Sequence, residues 1–157
     1  ILFSASVTMS FYDIVETGAD GAEVSFAQYQ GTVVYGVNVA SKCGYTASGY
    51  ALLSTLSKMP GVTVMIFPCN QFGGQEPGTD AEVASFCAMK GVEGAQVFTK
   101  ADVNGPNTRP TYSLLKNSGM GNVKWNFAGK FIVDKGGNIS LPGGDDEVLG
   151  AVKAALA

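Results

Sequence analysis

Two stretches of β-branched and apolar residues, Thr32–Ala40 (TVVYGVNVA) and Val62–Pro68 (VTVMIFP), constrain this chain more than any other feature. Neither alternates cleanly between apolar and polar residues, so each reads as a strand covered on both faces. Between them lies Ala47–Lys58 (ASGYALLSTLSK), with apolar residues near helical spacing and a stop at Met59-Pro60-Gly61. A buried strand, a helix and a second buried strand make a βαβ unit, with parallel strands and a right-handed crossover.

The flanking segments extend this unit. Tyr12–Ile14 and Val24–Phe26 read as a small hairpin around a turn at Glu16–Gly21. Thr79 or Asp80 starts a helix to about Lys90, and Thr79 with Glu82 fits a capping box. Val97–Lys100 reads as a short strand. Thr108–Asn117 reads as a helix with Pro110 in its first turn. Lys130–Asp134 and Asn138–Leu141 form a hairpin through Gly136-Gly137. Asp145–Leu156 is a closing amphipathic helix with acids at its start, where the helix dipole favours them. The sum is an α/β layer fold whose central sheet mixes parallel and antiparallel strands.

Length and patterning assign residues 10–157 to a single domain. Residues 1–9 read as an N-terminal extension or the stub of a processed targeting segment. The chain is 46% apolar and 15% charged, which is the composition of a folded globule. A formal charge of −3 and a single Arg argue against nucleic-acid binding. No apolar run approaches the length of a membrane span, so no stable membrane insertion is expected.

Histidine is absent, which removes Ser-His-Asp and Cys-His catalysis and His-ligated metal sites. Three cysteines fall short of the four thiolates of an all-cysteine zinc or iron–sulfur site. Their odd number favours a reducing compartment or cysteines kept for reactivity.

Cys43 follows the first buried strand and precedes the first helix, and sites in open α/β sheets form at such strand ends. Unpaired N–H groups at a helix N-terminus favour the thiolate, which is the nucleophile, and Lys42 adds a cation. The local motif is Cys43-Gly44-Tyr45-Thr46, so a second thiol must come from elsewhere. Equally open at this level is a buried cysteine acting as a small hydrophobe.

Three segments in order decide between these readings: Asn38–Thr46 (NVASKCGYT), Phe67–Pro77 (FPCNQFGGQEP) and Lys124–Phe127 (KWNF). Together they resemble the glutathione peroxidase family, and Phe98–Gly105 and Asn107–Leu115 extend the resemblance over nearly the whole chain. It implies a thioredoxin-like fold, a central mixed sheet flanked by helices with an N-terminal β-hairpin. It also implies a thiol peroxidase for hydrogen peroxide and organic or lipid hydroperoxides, with no metal or other cofactor. Matched residue by residue, it makes Cys43 the peroxidatic thiol and Gln75, Trp125 and Asn126 its catalytic companions. Amide and indole N–H donors do not titrate near neutral pH, so they can stabilise developing charge on a leaving oxygen without a histidine.

The resemblance to thioredoxin-dependent members makes Cys87, in Ser85-Phe86-Cys87-Ala88, the resolving thiol, and Cys69 a non-essential one. A disulfide needs Cα atoms within roughly 7 Å, so the helix around Cys87 is expected to unwind locally to reach Cys43. Thioredoxin is then the expected reductant. Glutathione is less favoured, because Lys42 and Lys124 are the only obvious basic residues near the site in sequence. A peroxide sensor passing its disulfide to a partner protein would use the same thiols. The short Leu115–Lys124 segment resembles the smaller members, which implies a monomer or weak homodimer. The cytoplasm is the expected compartment, with a plastid or mitochondrion as the alternative.

The chain departs from the family pattern in places. Tyr35-Gly36 interrupt a usually aliphatic strand and are expected to loosen it. The helix after Cys43 looks short, and Val92–Gln96 lacks the usual aromatic residues.

Overall fold

The computed structural model describes residues 9–157, so the segment read as an extension or targeting stub lies, except for Met9, outside the described residues. The N-terminal hairpin pairs β1 (Val15–Thr17) with β2 (Glu23–Ser25), with Glu16 opposite Val24. This is three residues beyond the expected first strand. Phe11–Asp13 instead forms a 3₁₀ turn, because Ser10 and Asp13 close a capping box: the Ser10 hydroxyl accepts from the Tyr12 N–H and the Asp13 carboxylate from the Ser10 N–H. Phe26 opens a second 3₁₀ turn, Phe26–Tyr29, rather than ending a strand.

The βαβ unit is present, with its two strands parallel. Strand β3 (Val33–Val39) leads through α1 (Thr46–Ser57) to β4 (Val62–Pro68), and the strands pair in parallel from Val33↔Val62 to Val39↔Pro68. Next come α2 (Asp80–Met89), β5 (Gln96–Val97) and α3 (Pro110–Leu115). The chain closes with β6 (Phe131–Val133), β7 (Ile139–Ser140) and α4 (Asp145–Leu156). The five-stranded sheet has the order β5-β4-β3-β6-β7, with β6 antiparallel to both its neighbours. The expected Thr108–Asn117 helix ends early and widens into a π turn at Lys116–Met120, where Gly119 takes a φ of 104°. The expected capping box of α2 is half formed. The Thr79 hydroxyl accepts from the Glu82 N–H at 3.2 Å, but the Glu82 carboxylate accepts from that hydroxyl rather than from the Thr79 N–H.

Strand β3 is not loosened at Tyr35-Gly36. All seven of its residues are buried, and Gly36 pairs directly with Phe131 on β6. A Cβ at position 36 would lie 2.3 Å from the Phe131 ring. The missing side chain is therefore the space the cross-strand aromatic fills.

Side-chain alternation along the strands divides the core in two. Val34, Met65, Phe67 and Cys69 face α3 and the N-terminal turns. Val33, Tyr35, Val37, Val39, Val64 and Ile66 face α1, α2 and α4. A buried ion pair ties the hairpin to the start of α3: Arg109 Nε donates to Glu16 at 3.1 Å, and the Thr111 hydroxyl donates to the same carboxylate at 2.7 Å. Loss of one partner would strand a buried charge, so the pair fixes this junction.

Candidate active site

Strand β3 delivers its carboxyl end to the segment Ser41–Tyr45. Cys43 is half-buried there and packs against the cluster beneath α1. Its Sγ accepts the Tyr45 N–H at 3.4 Å. Thr46 closes the turn, since its hydroxyl accepts the Cys43 N–H at 3.0 Å and donates to the Ala40 carbonyl at 2.7 Å. The fourth position of the motif thus carries a hydroxyl that shapes the thiol's loop.

The loop after β4 is stitched to this turn. The Lys42 N–H donates to the Gln75 carbonyl at 3.0 Å, and the Ser41 N–H donates to the Glu76 carboxylate at 3.1 Å. The Ser41 hydroxyl bonds to the same oxygen. Asn70 accepts the Glu76 N–H at 2.9 Å, and the Lys100 ammonium donates to the carbonyls of Glu76 and Gly78. Glu76 is fully buried, and burial pushes its carboxyl up, against the opposing pull of the Ser41 hydrogen bonds.

A third segment, Val123–Gly129, is hung from β3 by Asn38. The Asn38 side chain donates to the Trp125 carbonyl at 3.1 Å and accepts the Gly129 N–H at 2.7 Å, while its backbone carbonyl accepts the Phe127 N–H at 2.9 Å. Phe127 takes a φ of 63°, unusual for a residue with a Cβ. Its ring fills the slot left by Gly49 of α1, where a Cβ would meet it at 2.5 Å. That packing offsets a strain of about 1–3 kcal/mol. The reversal turns the neighbouring side chains toward the loop after β4.

Of the four residues marked in sequence beside Cys87, Gln75 and Asn126 meet directly. Asn126 Nδ2 donates to Gln75 Oε1 at 2.8 Å and to the Phe72 carbonyl at 3.4 Å. With its oxygen engaged, the half-buried Gln75 keeps its own amide N–H groups as donors. Asn126 is buried and its Oδ1 has no partner among the described residues. Trp125 is 39% exposed and packs against Phe72 at 5.8 Å between ring centroids. Beside it, a cleft of about 420 Å³ is lined by Tyr45, Ser48, Trp125, Asn126, Phe127 and Lys130, among others. Cys43 joins this group through its neighbours: Lys42 bonds Gln75, and Tyr45 lines the cleft with Trp125 and Asn126.

Cys87 stands apart. It is 3% exposed inside folded α2, with its Sγ 3.4 Å from the Tyr50 hydroxyl. Burial pushes its thiol up, and the Tyr50 hydrogen bond pulls the other way. It shares the cluster against which Cys43 packs. Cys69 lies in the opposite core layer, fully buried, its thiol likewise pushed up by burial. All three cysteines are free. Among the described residues no group of three or more Cys, Asp or Glu is placed to hold a metal ion.

Sequence patterning assigns no loop-holding role to Asn38, Ser41, Thr46 or Glu76, which hold the loops. Asn38 carried a signal, being the one amide in an otherwise apolar strand. Glu76 carried none, since its burial depends on a contact 35 residues away.

A cysteine at the carboxyl end of a central parallel strand, just before the first sheet-covering helix, is the arrangement of a thioredoxin-fold thiol protein. Solved structures agree on the fold: T. cruzi GPX1 superposes with a TM-score of 0.72 at 30% identity, covering 94% of this chain and 97% of that one. M. tuberculosis dsbF gives a TM-score of 0.64 at 14% identity, a likeness of fold alone. The glutathione peroxidase family model matches residues 11–116, and the chain belongs to that family. A probable phospholipid hydroperoxide glutathione peroxidase 6, mitochondrial, of Arabidopsis thaliana is 43% identical over 143 residues, covering 87% of this chain and 61% of that protein. A putative glutathione peroxidase 7, chloroplastic, of the same plant is 42% identical, covering 86% of this chain and 60% of that one. The chain thus spans less than two thirds of these two relatives. It spans 83% of a 42% identical Nicotiana sylvestris protein named probable phospholipid hydroperoxide glutathione peroxidase.

Proposed function

We propose that this chain is a thiol peroxidase in which Cys43 is the peroxidatic thiol. The observation that carries the reading is the bonded pair Asn126–Gln75, with Trp125 beside it, tied to the Cys43 turn by the Lys42 N–H, which donates to the Gln75 carbonyl. The Cys43 thiolate attacks one oxygen of the hydroperoxide. The S–O bond forms, the O–O bond breaks, and two electrons pass from sulfur to the peroxide. The departing alkoxide or hydroxide takes a proton and leaves as alcohol or water. The Gln75 amide and the Trp125 indole N–H are the donors that stabilise its charge.

Cys43 is left as a sulfenic acid. The Cys87 thiolate then attacks its sulfur; the S–S bond forms, the S–O bond breaks, and hydroxide leaves as water after protonation. The shared core layer favours Cys87 over Cys69, which the sheet separates from Cys43. Because Cys87 is buried in a folded helix, the step requires local opening of α2. Thioredoxin reduces the resulting disulfide by thiol exchange, in preference to glutathione. The active unit is a monomer or weak homodimer of one domain, residues 10–157. Its compartment is the cytoplasm or an organelle, and the mitochondrial and chloroplastic names of relatives support the latter.

Hydroperoxide turnover coupled to NADPH, with thioredoxin and its reductase or with glutathione and its reductase, tests this. Thioredoxin-driven turnover that disappears in C87S is expected. Glutathione-driven turnover that survives C87S would make Cys87 structural and leave a one-thiol peroxidase.

A further inference from the structure

Three polar side chains lie along one stripe of α1 at helical spacing and all reach α2 or the turn after it. The Tyr50 hydroxyl lies 3.4 Å from Cys87 Sγ. The Ser54 hydroxyl donates to the Gly91 carbonyl at 2.9 Å. The Ser57 hydroxyl accepts the Glu93 N–H at 3.1 Å. Lys58 supports the row by donating to Ser54 at 3.0 Å. Gly91 takes a φ of 79°, and a Cβ there would lie 3.2 Å from the Ser54 hydroxyl, so the contact depends on a glycine.

The two ends of α2 are held differently. Its N-terminus is capped by its own Thr79, and Asp80 accepts the Lys100 N–H at 2.8 Å. Its C-terminal turn, which contains Cys87, is held by α1 through the stripe. The edge-to-face contact of Tyr50 with Phe86, 5.1 Å between centroids, adds an apolar component at the same place.

We infer that Tyr50, Ser54 and Ser57 form a latch that keeps the C-terminal turn of α2 closed and so sets the rate at which Cys87 reaches oxidised Cys43. They are positioning residues, and the inference rests on Cys87 being the resolving thiol. The latch decides between two fates of the Cys43 sulfenic acid. If α2 opens, the disulfide forms with loss of water. If it stays closed, a second hydroperoxide transfers one oxygen to the sulfur, giving sulfinic acid and alcohol. A tighter latch therefore makes the enzyme easier to inactivate by its own substrate.

The test follows the fluorescence of Trp125, the only tryptophan, after a hydroperoxide is mixed with reduced wild type, Y50F, S54A and C87S. Acid-quenched samples are alkylated and weighed by mass spectrometry to identify sulfenic, disulfide and sulfinic species. Y50F and S54A each remove one hydroxyl, and a single such bond corresponds to a rate change of roughly 3- to 10-fold. The disulfide-forming phase is expected to accelerate by about that factor in both variants. The Cys43 oxidation phase should stay unchanged, and the sulfinic fraction should fall.

A wild-type rate of disulfide formation in S54A overturns the latch, as does a slower one in Y50F, which would mean that Tyr50 activates the Cys87 thiolate in place. S54A decides the matter if Y50F misfolds. A disulfide that still forms in C87S would instead remove the resolving assignment, a result distinct from failure of the latch.

Discussion

Cys43 and Cys87 touch the same apolar cluster, yet they sit in opposite environments. Cys43 sits where the cluster ends, half-buried, with a backbone N–H on its sulfur and its turn bonded to the loop after β4. Cys87 sits inside, with an aromatic hydroxyl as its polar neighbour and its thiol pushed up by burial. A thiol reacts as the thiolate, so a position with N–H donors and access to solvent favours attack, and a buried one suppresses it. Two identical side chains thus differ in burial according to where the helix packing stops. The buried thiol becomes available only through motion.

The most direct way to break this contrast is to remove the thiol at the cluster's edge. C43S is expected to lower turnover by roughly 10³-fold or more, because the other two thiols are buried and a hydroxyl is a far weaker nucleophile than a thiolate. Coupled peroxidase assays check this, and substantial activity would transfer the role to another cysteine.

The second test removes the polar side of the comparison while leaving the thiol. N126A frees Gln75 from its 2.8 Å bond and is expected to cost on the order of 10²-fold in the Cys43 oxidation rate. Single-turnover stopped-flow measurements isolate that step. Q75A should lose a similar factor, and the double variant should lose less than the product, since the two amides act as a unit.

Native-state alkylation sharpens the contrast without mutation. With iodoacetamide under reducing conditions, Cys43 is expected to label at least about 10 times faster than Cys87 or Cys69, whose labelling must await local opening. Peptide mass spectrometry over time reads the order. Equal rates for Cys43 and Cys87 would mean that α2 is open most of the time.

The smallest effect concerns the frame that holds the Cys43 side. Burial raises the Glu76 carboxyl, so the folded state binds its proton more tightly than the unfolded chain. The folded state is therefore favoured at pH below the ordinary carboxylate range. That contribution is lost as pH rises through the raised value. E76Q keeps an acceptor for Ser41 and should flatten this part of the stability–pH profile, measured by urea denaturation at a series of pH values. An unchanged profile would show that Glu76 does not titrate across folding.

The sequence by itself determined the βαβ unit and the position of Cys43. Those features are local: a run of buried β-branched residues and a helix between two such runs specify themselves through short-range patterning. The final helix, Asp145–Leu156, was legible to the residue for the same reason. The candidate residues Gln75, Trp125 and Asn126 were legible only through resemblance, because an amide in a loop carries no periodic signal. The shifted N-terminal hairpin shows local chemistry working against a pattern, as Ser10 and Asp13 capture the backbone that alternation would have placed in a strand.

Tertiary structure alone decided the rest. Tyr35-Gly36 is a weak point by local pattern alone, but Phe131, 95 residues away, covers the glycine. The burial of Glu76 against Ser41, the suspension of the Trp125 loop from Asn38 and the Tyr50–Cys87 contact all join residues at least 35 positions apart. Sequence patterning reports which face a residue presents, with a period of 2 or 3.6. Which distant face it meets is fixed only when the layers pack, and at this site those meetings separate the half-buried thiol from the buried one.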